Sequence, residues 1–203
     1  MTKGRIPPRS ELVQLPHTVH GGQGWKLENV EDYSHNLNPF GPPEDLGEIV
    51  ASAIGDVGHY PDDSCAELKE VISKTFNVGV DCISVGAGSS DIIRNVPNTF
   101  YERGSKVVIP NPSFAEYTQQ CRIVGAEVQP FMLEPEEDFR IDADRLLEAA
   151  EGAKAVYICN PNNPTGRVEP RDKIMRITRE LEEKGTLLFL DETLLELVPG
   201  YTD

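Results

Sequence analysis

Ala155-Val156-Tyr157-Ile158-Cys159 runs straight into Asn160-Pro161-Asn162-Asn163-Pro164-Thr165-Gly166, and further on Leu187-Leu188-Phe189-Leu190 ends in Asp191-Glu192. Both apolar runs have the length and side-chain content of a buried strand. Turn-forming residues close the first, and carboxylates close the second. Outward from this pair the alternation continues. Cys82-Ile83-Ser84-Val85, Lys106 to Ile109 and Glu127 to Phe131 read as further strands, and Thr186 to Leu190 as the last. Helices are expected over Ser90 to Phe100 (interrupted near Pro97), Phe114 to Val124, Asp142 to Ala150 and Arg171 to Lys184. Strands alternating with helices of this size make βαβ units, hence an α/β fold with a mostly parallel sheet and helices on both faces. In such sheets ligands sit beyond the carboxyl ends of the strands.

The N-terminal part reads differently. Residues 1–40 are rich in Pro, Gly, Asn and His with little periodicity and read as an extended arm or loop. Asp45 to Ile54 sets Leu46, Ile49, Val50 and Ile54 on one helical face. A turn at Gly58 to Asp63 precedes a helix through Leu68, Val71, Ile72 and Phe76, capped by Ser64 or Asp63. The organisation expected is an arm over 1–43 and a larger α/β domain over 44–203.

Composition narrows the partners. The 203 residues carry a net charge of −15, which argues against nucleic acid and anionic membranes. No apolar run approaches the roughly 20 residues that span a bilayer, and Met1 to Pro8 has charge but no apolar segment behind it. A cytoplasmic protein is expected. Cys65, Cys82, Cys121 and Cys159 form no C-x-x-C pair and read as buried free thiols. The four histidines lack metal-ligand spacing, so no metal site is expected.

Four strand ends carry chemistry-bearing residues. An amide and a carboxylate at neighbouring strand ends can meet a ring laid across the sheet edge. A pyridinium nitrogen takes an anion, Asp191, and a ring phenolate oxygen takes a donor, Asn163. A carboxylate ending an apolar strand is costly without such a partner; the alternative is a cap or a surface loop carboxylate. Gly86-Ala87-Gly88-Ser89-Ser90 joins a strand to a helix, where free N–H groups and the positive dipole end receive a phosphate. Read alone, it is equally a plain capped turn. Phe114 either stacks on a ring or anchors its helix in the core, and Tyr60 either reaches a ligand or packs on its own domain.

In this order the motifs resemble fold-type I pyridoxal-phosphate enzymes of the aminotransferase class I/II superfamily. The resemblance implies pyridoxal 5'-phosphate, with its phosphate at Gly88, Ser89 and Ser90, Phe114 stacked on the ring, and Asn163 and Asp191 on its oxygen and nitrogen. It also implies that Tyr60 reaches the phosphate of the neighbouring subunit in a homodimer. Glu192 reads as structural, and Leu194 replaces a tyrosine that many aminotransferases carry. His20-Gly21-Gly22, followed by Asp32-Tyr33-Ser34-His35-Asn36-Leu37-Asn38-Pro39, resembles the L-threonine-O-3-phosphate decarboxylases of cobalamin biosynthesis. Their product is (R)-1-amino-2-propanol O-2-phosphate, and His20, Gly21, Asn36 and Asn163 are then substrate contacts. An imidazolium and a glycine N–H suit a dianion, although His20 read alone is an exposed loop histidine. Histidinol-phosphate aminotransferases share N-x-N-P, Y-P-D and N-P-N-N-P-T-G but usually lack H-G-G.

The family's Schiff-base lysine follows one further strand, so no catalytic lysine is expected among these residues, and Lys154, Lys173 and Lys184 are not promoted to the role. The large domain is expected to be incomplete at its C-terminus. The family's seven-strand sheet, with spatial order 1-7-6-4-5-2-3, would be represented by strands one to five. Strand one would then be severed from the rest, and the isolated chain would be unstable and inactive.

Overall fold

Four parallel strands pair in the order β2-β1-β3-β4, with β1 at Lys106–Asn111, β2 at Glu127–Met132, β3 at Ala155–Cys159 and β4 at Leu187–Asp191. The computed structural model describes residues 8–13, 15, 27–31, 33, 35–38 and 40–200. Its helices are α1 (Ser10–Val13), α2 (Leu46–Ala53), α3 (Ala66–Phe76), α4 (Ser89–Phe100), α5 (Ala115–Ile123), α6 (Ala143–Ala149) and α7 (Arg171–Glu183). The chain falls into two units, Met1–Thr18 with Gly86–Asp203, and Val19–Val85.

The first unit is a three-layer sandwich dictated by period-two alternation in the strands. Val108, Val156 and Ile158 point to one face, where Leu146 and Leu147 of α6 and Ile174, Ile177 and Leu181 of α7 cover them. Val107, Ile109, Ala155 and Tyr157 point to the other, against Ile93 of α4 and Tyr117 and Cys121 of α5. Every residue of β3 is buried, whereas β4 is half-buried throughout. That difference overturns the expected strand order. The all-apolar β3 takes the central place beside β1, and β4, expected there, lies at the edge. Pro130, which has no N–H to give a ladder, sits in the opposite edge strand β2, where proline is tolerated.

Three local expectations are corrected. Cys82–Val85 is not a strand. Val80–Cys82 is a 3-10 turn, and although Ile83 is extended, no described strand pairs with it. Helix α4 is not interrupted at Pro97, because that buried proline lies in the last turn. The Asn98 amide donates to the Arg94 carbonyl at 2.7 Å and the Thr99 hydroxyl to that of Asn95 at 2.8 Å, which satisfies backbone carbonyls around the proline. In the second unit, neither Ser64 nor Asp63 caps α3. The Asp62 carboxylate accepts from the Ala66 N–H at 2.9 Å and from the Ser64 N–H and hydroxyl at 3.0 and 2.6 Å. The Ser64 hydroxyl, followed by the Ala66 and Ser64 N–H groups, holds Asp62 below its ordinary carboxylate range. The last residue of the Tyr60-Pro61-Asp62 motif is therefore a helix cap. Asn77, left-handed at φ 51°, closes the same helix.

The thiols are only partly as expected. Cys121 and Cys159 are buried, but Cys82 is exposed and Cys65 half-buried. Burial pushes the Cys121 thiol up to about 11, so it stays protonated and unreactive at neutral pH. Iodoacetamide at pH 8 is expected to modify Cys82 first and to leave Cys121 untouched until the protein unfolds. Mass-resolved labelling checks this order, and early modification of Cys121 would contradict the buried face. Among the described residues no helix is long and apolar enough to cross a membrane.

Candidate functional site

Because all four strands run the same way, the loops after β1, β3 and β4 meet at one edge of the sheet. The side chain that knits two of them is Asn162, 7% exposed. Its carbonyl accepts from the Ser113 hydroxyl at 2.9 Å, and its amide donates to the Pro112 carbonyl at 3.0 Å and to Thr165 Oγ1 at 2.9 Å. The neighbouring Asn160 is fully buried and exchanges both amide groups with the backbone of Glu169, at 3.1 and 2.8 Å. Its own N–H donates to the Asp191 carbonyl at 2.8 Å, which ties the loop after β3 to the end of β4. The Asn-Pro bonds at 111–112, 160–161 and 163–164 are cis.

On this frame stand the residues singled out from sequence. Asp191 ends β4 in register with Cys159. One carboxylate oxygen accepts from the Thr193 N–H at 3.0 Å and hydroxyl at 2.6 Å, and the other from the Tyr117 hydroxyl at 2.7 Å. A carboxylate has about four lone-pair sites, so three donors leave room for one more. The half-buried Asn163 turns its backbone N–H to the Cys159 sulfur, while its side-chain amide bonds to none of the described residues. Phe114 caps α5, half-buried, its ring edge-to-face with Tyr117 at 5.6 Å. Gly88 precedes α4 at φ 79°, ψ 173°, a conformation that excludes side chains, and the hydroxyls of the exposed Ser89 and Ser90 bond to none of the described residues. A Cβ at Gly86 would come within 2.9 Å of Ile92. The Asp91 carboxylate accepts from the Ala87 N–H at 3.1 Å and fixes the loop. Ile93, one turn into α4, belongs to the same core cluster as Tyr117 and Tyr157.

The expected site residues of the first unit thus gather on one framework. Of those in the second unit, Asn36 is exposed and Tyr60 completely so. His20 and Gly21 lie outside the described residues. Sequence reasoning passed over Tyr117, Ser113 and Asn162. For Tyr117 the available signal was its spacing of three from Phe114 on a helix, which places a hydroxyl in an apolar face.

A parallel sheet with an uncommitted amide, a partly exposed carboxylate and an open helix N-terminus at its carboxyl edge defines a cofactor-binding α/β domain. The chain belongs to the aminotransferase class I and II family, whose model matches residues 28–203. It is 31% identical to a histidinol-phosphate aminotransferase of Ruminiclostridium cellulolyticum, over 82% of this chain and 49% of the relative. It is 33% identical to a protein of Caldanaerobacter subterraneus subsp. tengcongensis named as a putative threonine-phosphate decarboxylase, over 90% of this chain and 49% of the relative. The fold matches the histidinol-phosphate aminotransferase of Sinorhizobium meliloti solved with pyridoxal-5'-phosphate, with a TM-score of 0.73 at 27% identity, over 79% of this chain and 43% of that one. The Clostridium acetobutylicum enzyme matches with the same TM-score of 0.73 at 29% identity, covering 84% and 50%. The chain spans about half the length of the curated relatives it matches.

Proposed function

We propose that this chain holds pyridoxal phosphate in a protein that decarboxylates L-threonine O-3-phosphate. The observation that carries the cofactor reading is Asp191, anchored by three donors with one acceptor site to spare. When bound, pyridoxal phosphate supplies an electron-withdrawing cationic ring beside the substrate α-carbon. Asp191 is the anion for the ring nitrogen, and the Asn163 amide the donor for the ring oxygen. Phe114 covers a ring face and excludes water. The N–H groups and hydroxyls of Ser89 and Ser90, at the positive end of α4, receive the phosphate. Burial drives the Tyr117 phenol far above its ordinary range, followed by the effects of Cys159 and Asp191. Its proton therefore stays on the hydroxyl that faces Asp191.

The substrate follows from the N-terminal sequence. His20-Gly21-Gly22 and Asn36 offer an imidazole, backbone N–H groups and an amide to a second phosphate, that of the substrate. The Cα–carboxylate bond breaks, carbon dioxide leaves, and a proton replaces it at Cα to give (R)-1-amino-2-propanol O-2-phosphate. Leu194, where many aminotransferases have a tyrosine, favours this chemistry over plain transamination. A second reading, a histidinol-phosphate-type aminotransferase, is favoured by the names of several relatives. In either case a homodimer is expected.

Product analysis of the protein from its native source, supplied with pyridoxal phosphate, separates the readings. Carbon dioxide and an amino alcohol phosphate are expected from threonine phosphate. A 2-oxoglutarate-dependent keto product from histidinol phosphate would establish the second reading instead. No turnover of either would mean an inactive remnant.

A further inference from the structure

We propose that Tyr117 is a positioning residue that sets Asp191 and Phe114 together, its hydroxyl holding the carboxylate and its ring carrying the phenyl. The inference rests on the cofactor reading above and adds to it a residue to which the sequence assigned no role.

Tyr117 lies on the first turn of α5 and is 1% exposed. Its hydroxyl donates to one Asp191 oxygen at 2.7 Å, and the Thr193 donors occupy the other oxygen. The two sets of donors hold different oxygens of the carboxylate, Thr193 from its own loop and Tyr117 from a helix 74 residues earlier. With only the Thr193 contacts, the carboxylate would be oriented by a single exposed turn. The Tyr117 bond ties it to the core.

The ring does separate work. It meets Phe114 edge-to-face at 5.6 Å with an interplanar angle of 79°, and it packs on Tyr157 at 5.3 Å and Phe189 at 6.0 Å. Tyr157 and Phe189, from β3 and β4, stack on each other at 4.6 Å. Tyr157 is itself pinned by the Tyr101 hydroxyl at 3.0 Å. Tyr117 is thus clamped on the two strands that end in Cys159 and Asp191. One rigid side chain fixes the spacing between the group assigned to a ring face and the group assigned to the ring nitrogen. A cofactor ring needs both held to within about half an ångström.

The hydroxyl and the ring can be separated experimentally. Tyr117→Phe removes only the hydrogen bond to Asp191. The test measures binding of two probes to the protein as its native source makes it, and to this variant. The probes are pyridoxal phosphate and its analogue with C–H in place of the ring nitrogen. Tyr117→Phe is expected to bind pyridoxal phosphate about tenfold more weakly, the loss of one charge-assisted hydrogen bond, and to bind the analogue as the parent does. Tyr117→His, which keeps a ring and an N–H donor, is expected to recover part of the loss. An equal loss for both probes, no loss for either, or a variant without a cooperative melt would make the hydroxyl a structural group and overturn the proposal alone. A parent protein that binds neither probe would overturn the cofactor reading, and this proposal with it.

Discussion

Asp191→Ala is expected to weaken pyridoxal phosphate binding at least about a hundredfold, as truncating one member of a desolvated charge pair does. The same change is expected to lower folding stability by about 1–3 kcal/mol, because the buried Tyr117 hydroxyl loses its acceptor. The two effects have separate origins. The first removes the anion facing the cofactor, and the second orphans a donor that is 1% exposed. Cofactor titration reads one and urea unfolding the other. Asp191→Asn keeps one acceptor oxygen for either Tyr117 or Thr193 and should cost less stability than Asp191→Ala while still losing the cofactor. Full retention of cofactor affinity in Asp191→Ala would falsify the assignment of this carboxylate to the ring nitrogen.

The second large effect distinguishes two asparagines three residues apart. Asn160→Ala is expected to cost about 2–6 kcal/mol, because it removes the side-chain partners of a backbone N–H and a carbonyl of the buried Glu169, each worth about 1–3 kcal/mol. Asn163→Ala is expected to leave the urea midpoint nearly unchanged, since its side chain bonds to none of the described residues, and to weaken cofactor binding instead. If the two variants exchanged these behaviours, the scaffold and the site would have been assigned the wrong way round.

The motif Asn160-Pro161-Asn162-Asn163 thus contains two kinds of residue that sequence displays alike. The sequence marks Asp191 because it ends an apolar run whose burial demands an explanation for a polar terminus, and Asn163 because it lies in the turn that closes another such run. The roles of Asn160 and Asn162 were not legible, since their partners Glu169, Ser113 and Pro112 come close only after the sheet forms. Tyr117 was hidden for the same reason: a tyrosine on an apolar helical face looks like core until the strand that ends in Asp191 is laid against it. In the fold, β1 to β4 were legible from alternation and turn chemistry. Their spatial order was not, because it depends on which run is buried on both faces. Cys82–Val85 has the composition of a strand but no partner, and pairing, not propensity, makes a strand.

The placement of Pro130 bears on how the sheet is assembled as the polypeptide emerges. Once β2 has docked on β1, that flank carries a residue with no amide hydrogen to offer an incoming neighbour. Later segments add to the other flank: β3 pairs with β1 over Val107 and Val108, ahead of Pro110, and β4 pairs with the proline-free β3. Growth beyond the first pair is therefore one-sided: β3 and then β4 join the flank away from Pro130 in the order in which they are synthesised.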